Sequence, residues 1–217
     1  YFDRALGYTG WKAVTVISLA IGQGELVLTP IQMANMTAAV ANKGYYYTPH
    51  IVKAIDGKPL EPDHPFRQKN ETTIDSVHFP VVIDAMHEVY KTGTARWSAH
   101  DSIPMAGKTG TAENPHGQDH SIFIAFAPVD DPEIAVSVIV ENGYWGSRWA
   151  APMASLMMEK YLTGETDNKR MENRMLEGDL TDQYKEEQEK LEELKKKRQE
   201  KARKEVEKLQ VLKDSNA

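Results

Sequence analysis

The chain has 217 residues, of which 41% are hydrophobic and 27% are charged, and its formal net charge is −6. This composition is typical of a globular protein, and the negative charge argues against a nucleic-acid binder, which would usually present a basic face. The sequence contains no cysteine, which excludes disulfide frameworks, thiolate zinc sites and cysteine nucleophiles.

Charge divides the chain into two parts. Of the 53 residues from 165 to 217, 14 are basic and 15 are acidic, whereas every Pro, Trp and Phe lies before residue 165. A buried core requires apolar side chains. We therefore predict that residues 1–164 form the folded part and that residues 165–217 form a charged tail, helical or partly disordered.

The first predicted helix covers residues 30–42. Thr29 and Gln32 can form a capping box around Pro30, and an apolar face follows. Residues 45–52 are then predicted to be extended. The Pro-rich and charged residues 56–72 are typical of a surface loop.

The period of the apolar residues changes after a second predicted helix at residues 80–90. Short β-branched and apolar runs at 103–112, 121–127 and 134–140 are separated by turn residues, which predicts a three-stranded antiparallel meander. A last helix is predicted at residues 149–162. Helices followed by three strands and a helix indicate an α+β fold, in which an antiparallel sheet packs against helices.

A further helix is predicted in the tail, at residues 179–212. Several Glu residues precede Lys by four positions, an orientation that stabilises a single helix: Glu186 and Lys190, Glu192 and Lys196, Glu193 and Lys197, Glu200 and Lys204. Apolar residues fall only intermittently on one seam. Both a solvated helix and a helix that pairs with a partner or with the domain remain open.

The most informative segment for function is Gly107-Lys108-Thr109-Gly110-Thr111-Ala112-Glu113. It offers an ammonium and two hydroxyls on a predicted strand. Lys108 and Gly110 share one face and the two threonines share the other, but an edge position would let Lys108 and Thr109 reach one carboxylate. The free backbone groups of an edge strand can also pair with an extended peptide.

The same five letters, Lys-Thr-Gly-Thr-Ala, occur earlier at residues 91–95. That copy follows a helical pattern, so we interpret it as the C-terminal stop of the helix. The copy at residues 108–112 precedes two strands, which is the context that a binding role requires.

These residues carry a resemblance to a known family. Residues 107–113, followed by residues 121–128, resemble the third-motif strand and the next strand of penicillin-binding transpeptidases. Further similar segments lie at residues 21–25, 28–34, 44–52, 86–95 and 141–143. The resemblance covers residues 1–164 and is strongest to class B penicillin-binding proteins of the penicillin-binding protein 2 type, the elongation-specific peptidoglycan D,D-transpeptidases.

The resemblance implies a role for each matched residue. Lys108 and Thr109 would bind the terminal carboxylate of the donor peptide or of a β-lactam, and Gly110 would keep the strand edge open. The backbone amide of Thr111 would form one arm of the oxyanion hole. The intact enzyme would cross-link stem peptides through a serine acyl-enzyme.

The sequence departs from the family in one respect. Members use a serine nucleophile in Ser-x-x-Lys and a Ser-x-Asn motif, and neither pattern occurs in the 217 residues. We expect both to lie upstream, so this chain alone should be inactive. The alternatives are a D,D-carboxypeptidase, a serine β-lactamase, or a non-catalytic β-lactam sensor or interaction module.

The family also implies partners and a location. We expect peptidoglycan stem peptides and β-lactams as ligands, cell-wall elongation proteins as partners, no nucleic acid, and no cofactor. An upstream membrane anchor would hold the domain on the periplasmic side.

The loop after the motif strand contains further candidates. Glu113 and His116 are candidate contacts to the substrate. His116, Asp119 and His120 are close enough in sequence to ligate zinc, but a solvated loop beside the site, or one that touches the substrate, is the better explanation, and we assign no metal site.

Overall fold

The structure, a computed structural model, describes residues 12–24 and 26–214, with side chains described as far as residue 201. The helices are α1 (Ala13–Ala20), α2 (Pro30–Ala41), α3 (Phe79–Lys91), α4 (Ala150–Thr163), α5 (Lys169–Leu176) and α6 (Thr181–Asp214). The strands are β1 (Tyr45–Tyr47), β2 (Ala54–Ile55), β3 (Lys58–Pro59), β4 (Lys69–Glu71), β5 (Ala106–Ala112), β6 (His120–Ala127) and β7 (Ile134–Val140).

The centre of the fold is the antiparallel sheet β5-β6-β7, in that order. Lys108 of β5 lies opposite Ile124 of β6, which in turn lies opposite Ser137 of β7. This sheet confirms the predicted meander and the α+β class.

Apolar side chains cover both faces of the sheet. On one face, Phe123 is fully buried with Tyr90 and the alanines of α4. On the other face, Phe126 is fully buried among side chains from α2 and α3. Because successive residues of a strand point to opposite faces, β6 contributes a buried phenylalanine to each core and holds the sheet between the helices.

The helices predicted at residues 30–42 and 149–162 are confirmed as α2 and α4, and the predicted capping box of α2 is present. Thr29 Oγ1 accepts a hydrogen bond from the Gln32 N–H, and the Gln32 side chain accepts one from the Thr29 N–H, which completes the capping box of α2. α4 ends at Gly164, whose φ of +88° is left-handed. Glycine adopts this conformation without the steric cost that a Cβ brings.

Three parts of the structure differ from the sequence prediction. Residues 45–52 form a shorter strand, because only Tyr45–Tyr47 find a partner, in β4. The predicted surface loop 56–72 contains β3, the second strand of a hairpin with β2, as well as β4. Helix α1 was not predicted.

The chain divides into two compact units, one ending at Met175 and the other beginning at Leu176. Contacts within the first unit continue beyond Gly164, since Thr166 is buried and the Asp167 N–H bonds to the Glu159 carboxylate. That residues 1–164 fold independently of the tail therefore remains a prediction.

The second unit consists mainly of α6, a helix of 34 residues. The carboxylates of Glu186 and Glu193 lie 3.8 and 2.6 Å from the ammonium groups of Lys190 and Lys197. Leu191 and Leu194 are about half exposed, so the pairing of this helix with a partner also remains a prediction. No helix in the described part of the chain is both long enough and apolar enough to cross a membrane.

Tyr90 provides a test of the packing between α3 and α4. Its buried hydroxyl lies 3.0 Å from Ser155 Oγ, and burial raises the pKa of the phenol. Tyr90→Phe should lower the free energy of unfolding by about 1 kcal/mol, the net value of a typical buried hydrogen bond. Urea denaturation measures this loss. Tyr161→Phe, at a mostly exposed tyrosine of α4, is the control, and equal effects of the two changes would contradict the packing.

Candidate functional site

Strand β5 has a hydrogen-bonded neighbour on one side only, because it is the edge strand of the β5-β6-β7 sheet. The Thr109 carbonyl accepts from Lys108 Nζ at 2.8 Å, and the Thr111 carbonyl accepts from Gln23 Nε2 at 3.4 Å. The N–H and C=O of one residue in an antiparallel strand point to the same side. Thr109 and Thr111 therefore direct their backbone groups away from β6, along the open edge.

The ammonium of Lys108 supplies positive charge at this edge. Its side chain starts on the opposite face of the strand from Thr109, yet its contact with the Thr109 carbonyl brings Nζ to the open side. Lys108 is exposed and forms no ion pair with any described carboxylate. Its charge is thus available to an anion that approaches the edge of β5.

Thr94 also lies beside Thr109, although the sequence analysis did not identify it as a candidate site residue. Thr94 Oγ1 lies 3.0 Å from Thr109 Oγ1. Thr94 belongs to the earlier Lys-Thr-Gly-Thr-Ala copy, which does end a helix as predicted, since α3 stops at Lys91. The sequence gives no signal for the additional contact, because it depends on how α3 packs beside β5.

The loop before α4 packs closely against the backbones of β5 and β6. Ser121 Oγ donates to the Trp145 carbonyl and accepts from the Ala150 N–H, which fastens the loop to β6. A Cβ on Gly146 would come within 2.6 Å of the Gly110 carbonyl oxygen. Only glycine therefore allows the loop to approach this closely, and the loop in turn fixes the backbone at Gly110.

An open groove of about 690 Å³ continues from the edge of β5. It is lined by Ser18, Gln23, Gly24, Glu113, Asn114, Pro115 and Asp119. Glu113 thus lies where a peptide paired with β5 would continue. His116 does not line the groove. Its side chain is exposed, and its backbone N–H donates to Asn114 Oδ1.

The loop residues considered for zinc are used differently. His120 Nδ1 accepts from the Asn142 N–H, and Asp119 Oδ1 accepts from the Asn114 N–H at 3.4 Å. Among the described residues, three metal-ligating side chains come together elsewhere, at His100, Glu159 and Asp167.

The site is therefore equipped for binding rather than for nucleophilic attack. An ammonium, two hydroxyls and outward-facing backbone groups can hold a carboxylate and an extended peptide. None of the described serine hydroxyls forms a hydrogen bond with a lysine or histidine side chain, the arrangement that would activate a nucleophile.

Among the curated proteins that this chain resembles are two peptidoglycan D,D-transpeptidases MrdA. The protein from Haemophilus influenzae is 36% identical over 171 residues, which cover 70% of this chain and 26% of the relative. The protein from Acinetobacter baumannii is 35% identical over 191 residues, which cover 78% of this chain and 28% of the relative. The chain thus spans about a quarter of the length of these relatives.

Solved structures give the same result. Pseudomonas aeruginosa PBP2 in complex with WCK 5153 matches with a TM-score of 0.65 and 36% identity, over 77% of this chain and 37% of that chain. The imipenem acyl-enzyme of Mycobacterium tuberculosis penicillin-binding protein A matches at 0.62 and 29%, over 70% and 35%. Helicobacter pylori PBP2 in complex with MreC matches at 0.61 and 26%, over 75% and 30%.

The family model described as the penicillin binding protein transpeptidase domain matches residues 7–159. This match covers most of the chain and includes β5, its open edge and the groove. The chain belongs to the family of penicillin-binding protein transpeptidase domains.

Proposed function

We propose that this chain supplies the substrate-binding strand of a peptidoglycan D,D-transpeptidase that cross-links stem peptides and is acylated by β-lactams. The observation that supports this function best is the open edge of β5, where the Lys108 ammonium lies beside the outward-facing carbonyl of Thr109. The relatives named as D,D-transpeptidases favour transfer to an amine over the hydrolysis that a carboxypeptidase or β-lactamase performs.

Substrate recognition would begin with the C-terminal carboxylate of the donor peptide. The Lys108 ammonium and the Thr109 hydroxyl would both donate to it, and a charge-assisted hydrogen bond of this kind is roughly twice as strong as a neutral one. Thr94, in contact with the Thr109 hydroxyl, would orient that hydroxyl toward the carboxylate. Gly110 would leave the approach to the edge clear.

The chemical step would use a serine that this chain does not contain, in a Ser-x-x-Lys motif. Attack of the serine oxygen on the peptide carbonyl carbon places negative charge on the carbonyl oxygen. The outward-facing N–H of Thr111 would donate to that oxygen and stabilise it. The C–N bond then breaks to give the acyl-enzyme and a free amine, and the amine of a second stem peptide displaces the serine.

The groove beyond Thr111 would hold the part of the donor peptide that precedes the reacting residue. Glu113 lines this groove and would contact the peptide there. His116 would contact substrate only at the outer rim of the loop, since it does not line the groove.

The family also supports a location and a partner. Helicobacter pylori PBP2 forms a complex with MreC, and we propose that an elongation protein of this kind binds the intact protein. A membrane anchor outside this chain would hold the transpeptidase domain on the periplasmic side.

Replacing Lys108 tests the proposed function. In the full-length protein, Lys108→Ala should slow covalent labelling by a fluorescent penicillin about 10- to 100-fold, because a hydrogen bond to a charged group contributes roughly 1.5–3 kcal/mol. The second-order labelling rate, followed by gel fluorescence, measures the change.

The sequence provides a matched control in its earlier copy of the same five residues. Lys91 pairs with Glu88 at 2.8 Å on the surface of α3, so Lys91→Ala should label like the unmodified protein. Normal labelling of Lys108→Ala, or an equal loss in both variants, would contradict the assignment.

The contact between Thr94 and Thr109 makes a separate prediction. Thr94→Val should slow acylation about 3- to 10-fold, the effect of one neutral hydrogen bond. The effect should disappear in a Thr109→Ala background, because the two hydroxyls act together. A double-mutant cycle on the labelling rate measures this coupling, and strictly additive losses would show that Thr94 does not act through Thr109.

A further inference from the structure

The hairpin loop that joins β5 to β6, residues 113–119, forms part of the groove beyond Thr111. The other lining residues come from α1 and the turn after it. Loops are generally more mobile than the strands that they connect, so this wall keeps its shape only where other contacts fix the loop. The loop residues that line the groove are Glu113, Asn114, Pro115 and Asp119.

The turn after β7, residues 141–144, provides such contacts. Ser121 of β6 pairs with Val140, the last residue of β7, so the chain leaves β7 at the same end of the sheet as the hairpin loop. There Asn142 Oδ1 accepts hydrogen bonds from Asn114 Nδ2 at 3.0 Å and from the Gln118 N–H at 3.1 Å. One side-chain oxygen therefore holds residues near both ends of the loop.

The turn is itself held in place. The Asn142 N–H donates to His120 Nδ1 at 3.0 Å, and the φ of Asn142 is +55°, a left-handed conformation in which Asn is enriched. The Tyr144 N–H donates to the Asp119 carbonyl at 2.8 Å, and the φ of Tyr144 is +62°. A bulky residue persists in this conformation only where the surrounding structure determines it. The turn is thus fixed against the hairpin loop.

The contact between turn and loop is closely packed. A Cβ on Gly117 would collide with Asn142 Oδ1 and would lie 2.9 Å from Asn114 Nδ2. Within the loop, the Asn114 N–H donates to Asp119 Oδ1 at 3.4 Å. Asn114 and Asp119 also line the groove, so two of the residues that bond to the turn belong to the wall that a bound peptide would meet.

We propose that Asn142 is a positioning residue that fixes the hairpin loop as a wall for the donor stem peptide. This inference rests on the proposed function, because a peptide that pairs with the edge of β5 would continue past Thr111 into the groove. A loop that is ordered before binding adds contacts without the entropy cost of ordering it. The nucleus of a β-lactam needs only Lys108, Thr109 and Thr111, so Asn142 affects ligands that carry a peptide chain.

Two β-lactams that differ only in the acyl group test this role in the full-length protein. Aminopenicillanic acid has no acyl group, and its matched partner carries a stem tripeptide as the acyl group. Intact-protein mass spectrometry gives the second-order acylation rate with each compound. Asn142→Gly removes the acceptor and keeps the left-handed backbone. It should slow acylation by the peptidyl compound about tenfold, since two neutral hydrogen bonds to the loop are lost, and should leave the rate with aminopenicillanic acid unchanged.

Three further variants complete the experiment. Asn142→Asp retains an oxygen acceptor at the same position and should restore the rate with the peptidyl compound. Asp56→Gly is the matched control, since Asp56 is an exposed residue with a φ of +50° in the turn between β2 and β3, and it should react like the unmodified protein. Gly117→Ala decides the outcome if Asn142→Gly does not fold. Its Cβ displaces the Asn142 side chain, and the same selective loss should be about 3- to 10-fold.

The ratio of the two acylation rates distinguishes the possible failures. An unchanged ratio in Asn142→Gly and Gly117→Ala would overturn the inference and leave the proposed function intact. An equal loss with both compounds that Asn142→Asp does not restore would show a general structural role and would also overturn the inference. Failure of either compound to acylate the unmodified protein would overturn the proposed function, and the inference with it.

Discussion

The proposed substrate site depends on β5, an edge strand that is hydrogen-bonded to a neighbouring strand on one side only. β6 pairs with β5 along its full length, from Ala106 opposite Phe126 to Ala112 opposite His120. The other side of β5 carries no strand in the β5-β6-β7 sheet. An unpaired edge usually invites aggregation, and proteins protect it with charge and covering loops. Here Lys108 and Gln23 contact the outward carbonyls of Thr109 and Thr111.

The two cores keep this edge rigid. Phe123 and Phe126 alternate on β6 and are fully buried on opposite faces of the sheet. Close packing of this kind leaves β5 little freedom to move away from β6. Gly146 adds a backbone contact behind Gly110 that no larger residue would permit. In the proposed reaction a rigid edge would help, because donors that are already oriented need no reorganisation when charge develops.

Local signals in the sequence predicted much of this arrangement. The capping box at Thr29 and the three short apolar and β-branched runs between residues 103 and 140 correspond to hydrogen bonds and strands in the structure. The pairing of Tyr45–Tyr47 with Lys69–Glu71 was missed, because it joins residues more than twenty positions apart and has no local pattern. The contact of Thr94 with Thr109 and the convergence of His100 with Glu159 were missed because they too depend on tertiary packing and have no local sequence pattern. The two copies of Lys-Thr-Gly-Thr-Ala show that flanking periodicity decides what a short motif becomes.

The most direct test is a crystal structure of the full-length protein acylated by a β-lactam. We expect a carboxylate oxygen of the ligand within hydrogen-bond distance of Lys108 Nζ or Thr109 Oγ1, and the acyl carbonyl oxygen accepting the Thr111 N–H. A ligand whose carboxylate lies elsewhere, with the Lys108 ammonium in solvent and the edge of β5 unoccupied, would contradict the account.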